Sequence, residues 1–214
     1  MNKETRLQPV TPIRVWDAPT RAFHWLLALS FAIAYGTAEG ERWRLVHVTF
    51  GYTFGALLVF RLIWGFWGTR YSRFANFVRG PAAVFHYLRS LWRRAPAHYT
   101  GHNPAGALAI VVMIALGLLI ASSGWASYND VGGEWVSQLH DFTANVMLLV
   151  IGLHLTGVVS ASLAHRENLV LAMLTGKKLG TARDGIRNNR TLVALVLIAA
   201  VLGFWIYAWQ TAPT

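Results

Sequence analysis

Five stretches of roughly 17–25 residues, almost free of charge, constrain this chain more than any other feature. They cover residues 22–38, 45–67, 104–124, 139–163 and 192–209. About 20 apolar residues of helix cross a bilayer, and in lipid every backbone N–H and C=O must find its partner inside the segment. The expected fold class is therefore an all-α membrane protein. The last stretch, "LVALVLIAAVLGFWIYAW", has no charge, whereas the first is the shortest and is interrupted by His24. Only 13% of the residues are charged, against about 25% in soluble domains. The joins "EGERWR" and "SSGWASYNDVGGEWVSQ" carry the glycine, serine and asparagine of turns, and no repeat of fixed period is present.

Charge then orients the chain. Of 19 Lys and Arg, four precede the first stretch, six lie between the second and third, and six between the fourth and fifth. Only Arg42 and Arg44 fall in the alternate joins, and Arg61 sits within a span. Basic loops stay on the cytoplasmic side, so the N-terminus is expected inside and the C-terminus in the periplasm. The net charge of +10 follows from this topology and from contact with anionic lipid, and does not call for nucleic acid. The charged start leads into an apolar run without a suitably placed small-residue cleavage site, so no cleaved leader is expected. Segment 81–94, "PAAVFHYLRSLWRR", places Val84, Phe85, Leu88, Leu91 and Trp92 opposite Arg89, Arg93 and Arg94, as in a helix lying on the inner membrane surface. His86 and His98 belong to this region and read as surface histidines, as does His165.

Absence of cysteine excludes disulfides, thiolate metal sites, iron–sulfur clusters and thioether-linked haem. His140 and His154 lie fourteen residues apart in one span, which in a helix is about 21 Å of rise and a return to within roughly 40° of the same face. Ionisable groups inside a membrane are costly unless they bind something, so two on one face suggest two stacked sites. His24, near the inner end of the first span, matches His154 in depth, and His47, near the outer start of the second, matches His140. Two bis-histidine b haems fit this pairing. Hydrogen-bonded core histidines are the plain alternative, and a zinc site would need more ligands than each pair offers. His102 is a further candidate for the inner level, but it precedes "NP" and is expected at the membrane surface.

Neighbouring residues suit a flat ring. Gly51 and Gly55 follow His47 near one helix face, and Gly152 and Gly157 flank His154. Arg61, fourteen residues after His47, falls at the inner level, where it either meets a haem propionate or snorkels to the interface.

The segments "VWDAPTRAFHW" (15–25), "HVTFGYTFGALLVFRLIWGFWGTRYSRF" (47–74), "LHDFTANVMLLVIGLHLTGV" (139–158) and "HRENLVLAMLTGKK" (165–178) resemble the bacterial cytochrome b561 family, which includes the b-type cytochrome subunits of nickel–iron hydrogenases. The resemblance covers residues 14–178. It implies a four-helix transmembrane bundle holding two b haems on His24, His47, His140 and His154, in the inner membrane, exchanging electrons between quinone and a redox partner. Residues 1–178 would form this dihaem domain, and 179–214 a basic linker with a fifth, C-terminal transmembrane helix available to a partner subunit.

A periplasmic c-type cytochrome or a hydrogenase would serve as that partner, with the carboxylates Asp130, Glu134 and Asp141 and the tryptophans Trp43, Trp125 and Trp135 at the outer face. For quinone, Arg14, Trp16, Asp17 and Arg21 in "RVWDAPTR" offer hydrogen bonds and proton exchange, or else form an interfacial anchor for the first helix. An alternative activity is superoxide:quinone oxidoreduction, which would need a cationic outer pocket from Arg42 or Arg44, beside Glu39 and Glu41.

Overall fold

The computed structural model describes residues 10–93 and 97–212, and the chain is mostly helical. A short strand β1 (Thr11–Arg14) leads into α1 (Ala18–Gly36), and a single 3₁₀ turn precedes α2 (Arg44–Trp67). After α3 (Phe74–Phe77) and α4 (Pro81–Trp92) come the long helices α5 (Pro104–Tyr128) and α6 (Glu134–His165). The chain then runs through α7 (Leu169–Thr175) and strand β2 (Lys177–Gly180) into α8 (Thr191–Gln210). Each boundary has a local cause. Asp17 and Asn103 cap α1 and α5 by accepting from the N–H of Thr20 (2.8 Å) and Gly106 (2.7 Å), and prolines 19 and 104 occupy first-turn positions whose N–H needs no partner.

Four helices are long and apolar enough to cross a membrane: α2 with its preceding turn, α5, α6 and α8. The expected first span is present as α1, nineteen residues long, but Arg21, His24 and Ser30 leave it less apolar than the other four. It runs beside α2 and α8 rather than alone.

The long helices form two pairs, α1 with α2 and α5 with α6, joined where α2 meets α5. Small residues make that join close. A Cβ on Gly117 would come within 2.8 Å of Leu58, and one on Gly55 within 3.3 Å of Ala121, so both glycines serve helix approach. Phe31, Phe54, Leu58, Ile120 and Met147 fill the centre. Helix α6 meets α1 and α2 through Met147 in that cluster and through Asn145, whose Oδ1 accepts from the Tyr35 hydroxyl at 2.8 Å. The C-terminal helix does not stand apart: Val201 packs with Phe23 and Leu57, and the Trp205 indole N–H donates to Thr53 Oγ1 at 2.9 Å.

One end of the bundle is closed by structure that the apolar pattern does not announce. Strands β1 and β2 pair antiparallel, with Thr11 opposite Gly180 and Arg14 opposite Lys177. The linker expected to begin at residue 179 thus begins inside a strand. Gly176, at φ 79°, ends α7 so tightly that a Cβ there would meet Trp16 O, and its carbonyl accepts from the N–H of Val15 at 2.8 Å and Trp16 at 3.1 Å. We call this the ribbon end. Helix α4 packs on α5 with Tyr87 turned inward, while Phe85, Leu88 and Trp92 are exposed. Of the basic residues expected on its polar side, Arg89 and Arg93 are exposed and Arg94 lies outside the described residues.

Candidate functional site

At the end opposite the ribbon, His47 in the first turn of α2 and His140 in the second turn of α6 face one another. Their ring centroids are 6.1 Å apart and their planes cross at 81°. His47 Nδ1 lies 2.8 Å from Ala34 O on α1, and His140 Nδ1 lies 3.0 Å from Ile120 O and 3.4 Å from Ser123 Oγ on α5. A carbonyl oxygen only accepts, so each Nδ1 carries the proton and each Nε2 keeps a free lone pair. This is the arrangement of metal-ligating imidazoles, whose second nitrogen is held by an outer acceptor. Two metal–nitrogen bonds of about 2 Å each, with half a ring on either side, span close to the observed separation. Among the described residues no group of three or more His, Asp or Glu is arranged to hold a metal ion. A metal carried in a macrocycle of its own would need only these two imidazoles from the chain.

Gly124 on α5, which the sequence alone did not single out, makes the His140 position possible. A Cβ there would come within 2.7 Å of His140 Cε1 and 3.0 Å of its Nδ1. Its signal was a glycine inside the polar end of a span, "SSGWAS". A Cβ on Gly51, Gly152 or Gly157 would meet nothing within 4 Å, so these three border open space, unlike Gly55.

The second group lies at the ribbon end. His24 sits seven residues into α1, and its buried Nδ1 has no partner among the described residues. His154 is half-buried on α6, about 21 Å along the helix from His140. Arg61 on α2 is only 4% exposed, with its guanidinium carbon 4.7 Å from the Phe74 ring centre and 5.7 Å from that of Phe77. His102, expected at the membrane surface, lies just before α5 and is half-buried, its ring held between Trp16 and Phe77, 4.6 Å from each. Burial, then the neighbouring Arg61, His154, Lys178 and His24, push the His102 imidazole down to about 3, which keeps it neutral. His24, His154, Arg61 and His102 therefore share one neighbourhood.

The residues of "RVWDAPTR" come together as a frame. Asp17 is 1% exposed and both its oxygens are in use: Oδ1 accepts from Thr20 N–H, and Oδ2 from the Trp64 indole (3.2 Å) and Thr69 Oγ1 (2.6 Å). Trp16 is buried against Tyr71 and His102, Arg14 lies in β1, and Arg21 donates to Leu174 O at 2.6 Å. The geometry of Asp17 is that of the anchor. At the other end, Arg44 pairs with Glu41 at 3.6 Å on the surface and Arg42 lies over Trp43. Asp130, Glu134 and Asp141 are exposed there, as are Trp43, Trp125 and Trp135. His86 and His98 are exposed as expected, and the His98 ring meets that of half-buried His165 edge to face at 5.3 Å, beside Glu167 and Lys178.

Four apolar helices long enough to cross a membrane, with His47 facing His140 between α2 and α6, define a membrane-embedded helical protein. The prokaryotic cytochrome b561 family matches residues 15–176, and the chain belongs to that family. It is a multi-pass membrane protein of the b-type cytochrome class. It is 24% identical over 217 residues to a probable Ni/Fe-hydrogenase B-type cytochrome subunit of Rhizobium leguminosarum bv. viciae, covering 80% of this chain and 91% of that one. The protein of the same description from Azotobacter chroococcum mcd 1 is 26% identical over 166 residues, 64% and 68% of the two chains. A probable Ni/Fe-hydrogenase 1 B-type cytochrome subunit of Escherichia coli K12 is 27% identical over 143 residues, 54% and 60% of the two chains. No solved structure matches the chain.

Proposed function

We propose that this chain carries two b haems, one between His47 and His140 and one between His24 and His154, and passes electrons between membrane quinone and a periplasmic nickel–iron hydrogenase. The observation that carries the reading is the facing pair His47 and His140, each with Nδ1 tied to a carbonyl and Nε2 free. Haem b held by two of these imidazoles would supply one-electron, outer-sphere transfer.

The chain's own residues hold and orient. Ala34 and Ile120 carbonyls fix the imidazole tautomers and raise their basicity. Gly51, one turn after His47 and with nothing within 4 Å of a Cβ placed on it, would leave a flat ring room beside the outer pair. Fourteen residues separate the two histidines of α6, so one rigid helix fixes the spacing of both sites. In this reading α1 crosses the membrane with the four more apolar helices, the basic ribbon end faces the cytoplasm, and α8 is an addition to the dihaem unit. Quinone exchange belongs to the ribbon end beside His24, with Arg14 and Arg21 at headgroup level and Asp17 as frame. The hydrogenase partner is supported by the names that the relatives carry.

The test is a pyridine haemochrome assay with a reduced-minus-oxidised spectrum on purified protein. Two b haems per chain are expected, falling to one in H47A or H140A and to one in H24A or H154A. Absence of haem from the wild type, or failure of every quinone to oxidise the reduced protein, would sink the reading.

A further inference from the structure

Among the buried polar atoms at the ribbon end that have no partner among the described residues are Arg61 Nη1 and His102 Nδ1. They lie around one ring. Phe77 is 4.6 Å from His102 and 5.7 Å from the Arg61 guanidinium. The arginine is also held from the other side by Phe74, and a Cβ on Gly65 would run into that ring, so the helix is built to admit it. A guanidinium is always charged and only donates, and leaving it buried without an anion costs several kcal/mol.

Among the described residues no carboxylate pairs with it, and the open oxygen at this end, Glu167 Oε1, bonds to no group. Asp17 is the acidic neighbour of Arg61, but its oxygens are filled by Thr20, Trp64 and Thr69. Glu167 is taken by Lys178 at 3.0 Å. The partner must come from outside the chain, and it must be anionic and able to accept from two directions. On the ligand assignment above, on which this step rests, the ring between His24 and His154 brings two carboxylates to this level.

We propose that Arg61 and His102 form a carboxylate seat for the propionates of the haem at the ribbon end, Arg61 as the permanent cation and His102 as a neutral N–H donor. Charge-assisted hydrogen bonds of this kind are about twice as strong as neutral ones. The seat fixes the rotation of the ring about its axial bonds, which two imidazoles leave open. The neutral state of His102 agrees with the role, since burial beside Arg61 holds it down at about 3. The competing source of an anion is a phospholipid phosphate.

The test compares wild type with R61Q, H102F and H102N, all purified in detergent. Three quantities are read: haem per chain, the propionate bending band in resonance Raman spectra, and the two midpoint potentials, with bound lipid phosphorus measured alongside. We expect R61Q and H102F to shift the propionate band, and R61Q to move one of the two midpoints to a more negative value, because a nearby cation favours the reduced haem. H102N, which keeps an N–H near the Nδ1 position, is expected to restore the wild-type band. If R61Q does not assemble, R61K keeps the charge without the fork and is expected to shift the band while largely holding the potential. Two haems in every variant with unmoved band and potentials overturn the seat alone. Unmoved haem signals with lost phosphorus assign the donors to lipid and also overturn it. Fewer than two haems in the wild type instead overturns the ligand assignment beneath it.

Discussion

The ring of His140 lies against Gly124, close enough that a Cβ there would stand 2.7 Å from Cε1. That contact holds Nδ1 against Ile120 O. G124A is expected to push the imidazole off its acceptor, and G124V to displace it further, at an overpacking cost of about 1–3 kcal/mol. The measurable consequence is selective: haem per chain falls toward one in G124V, while the H24A background shows no haem at all when the two changes are combined. A double variant that still held one haem would place His140 outside the affected site.

Asp17 binds the start of α1 to the end of α2, accepting from Thr20, Trp64 and Thr69. D17A removes an N-cap and leaves a buried indole N–H unpaired, each worth about 1 kcal/mol or more. We expect a loss of roughly 2–4 kcal/mol, seen as a lower melting temperature in detergent. D17N restores the cap acceptor but sets an NH2 toward the donors on one side, so an intermediate loss is expected. Quinol oxidation per folded, haem-loaded molecule is expected to stay at the wild-type rate in D17N. A specific loss of that rate at normal stability would return Asp17 to the quinone chemistry.

What was legible in the sequence and what was not separates along one line. The levels of His47 and Arg61, and of His140 and His154, follow from helical rise, a local property that any apolar span reveals. Gly55 carried the opposite lesson: its place near the His47 face was readable, but its use against Ala121 depends on which helix arrives there. The ribbon was unreadable because β1 and β2 are four residues each and lie far apart in the chain, with no alternation long enough to count. His102 looked like a surface residue because nothing near it in sequence buries it; Trp16 and Phe77 do so from other elements. Lower hydropathy in α1 has the same origin, since the polar groups that dilute it are the ones facing the interior.

Acid should loosen the ribbon end. The His102 imidazole titrates near 6.5 when unfolded and is held down to about 3 when folded, chiefly by burial. Between these values the unfolded chain binds a proton that the folded chain refuses, so stability is full above about pH 6.5 and declines as pH falls toward 3. One proton gives a slope of at most about 1.4 kcal/mol per pH unit. Melting temperature against pH is expected to fall more steeply for wild type than for H102F. Parallel curves would show that His102 is not the group responsible.

Lys178 and Glu167 make the one ion pair among the described residues at the ribbon that is withdrawn from water, Nζ to Oε2 3.0 Å, with side chains 4% and 16% exposed. Lys178 stands opposite Ile13 in the ribbon and Glu167 follows the end of α6, so the pair ties the strands to the longest helix. Its net worth is not the Coulomb energy alone, because both ions lost their hydration on folding. The consequence is an asymmetry. K178M leaves Glu167, one of whose oxygens already lacks a partner, as an unpaired buried anion, which costs about 3–5 kcal/mol. K178M/E167M removes both charges and fills similar volume, so most of that loss is expected to return. Melting temperatures of the two single variants and the double variant, with proteolysis between residues 177 and 190 as a local readout, decide it. Additive losses would mean that the two charges act independently and that the backbone pairing of β1 with β2 alone holds the ribbon.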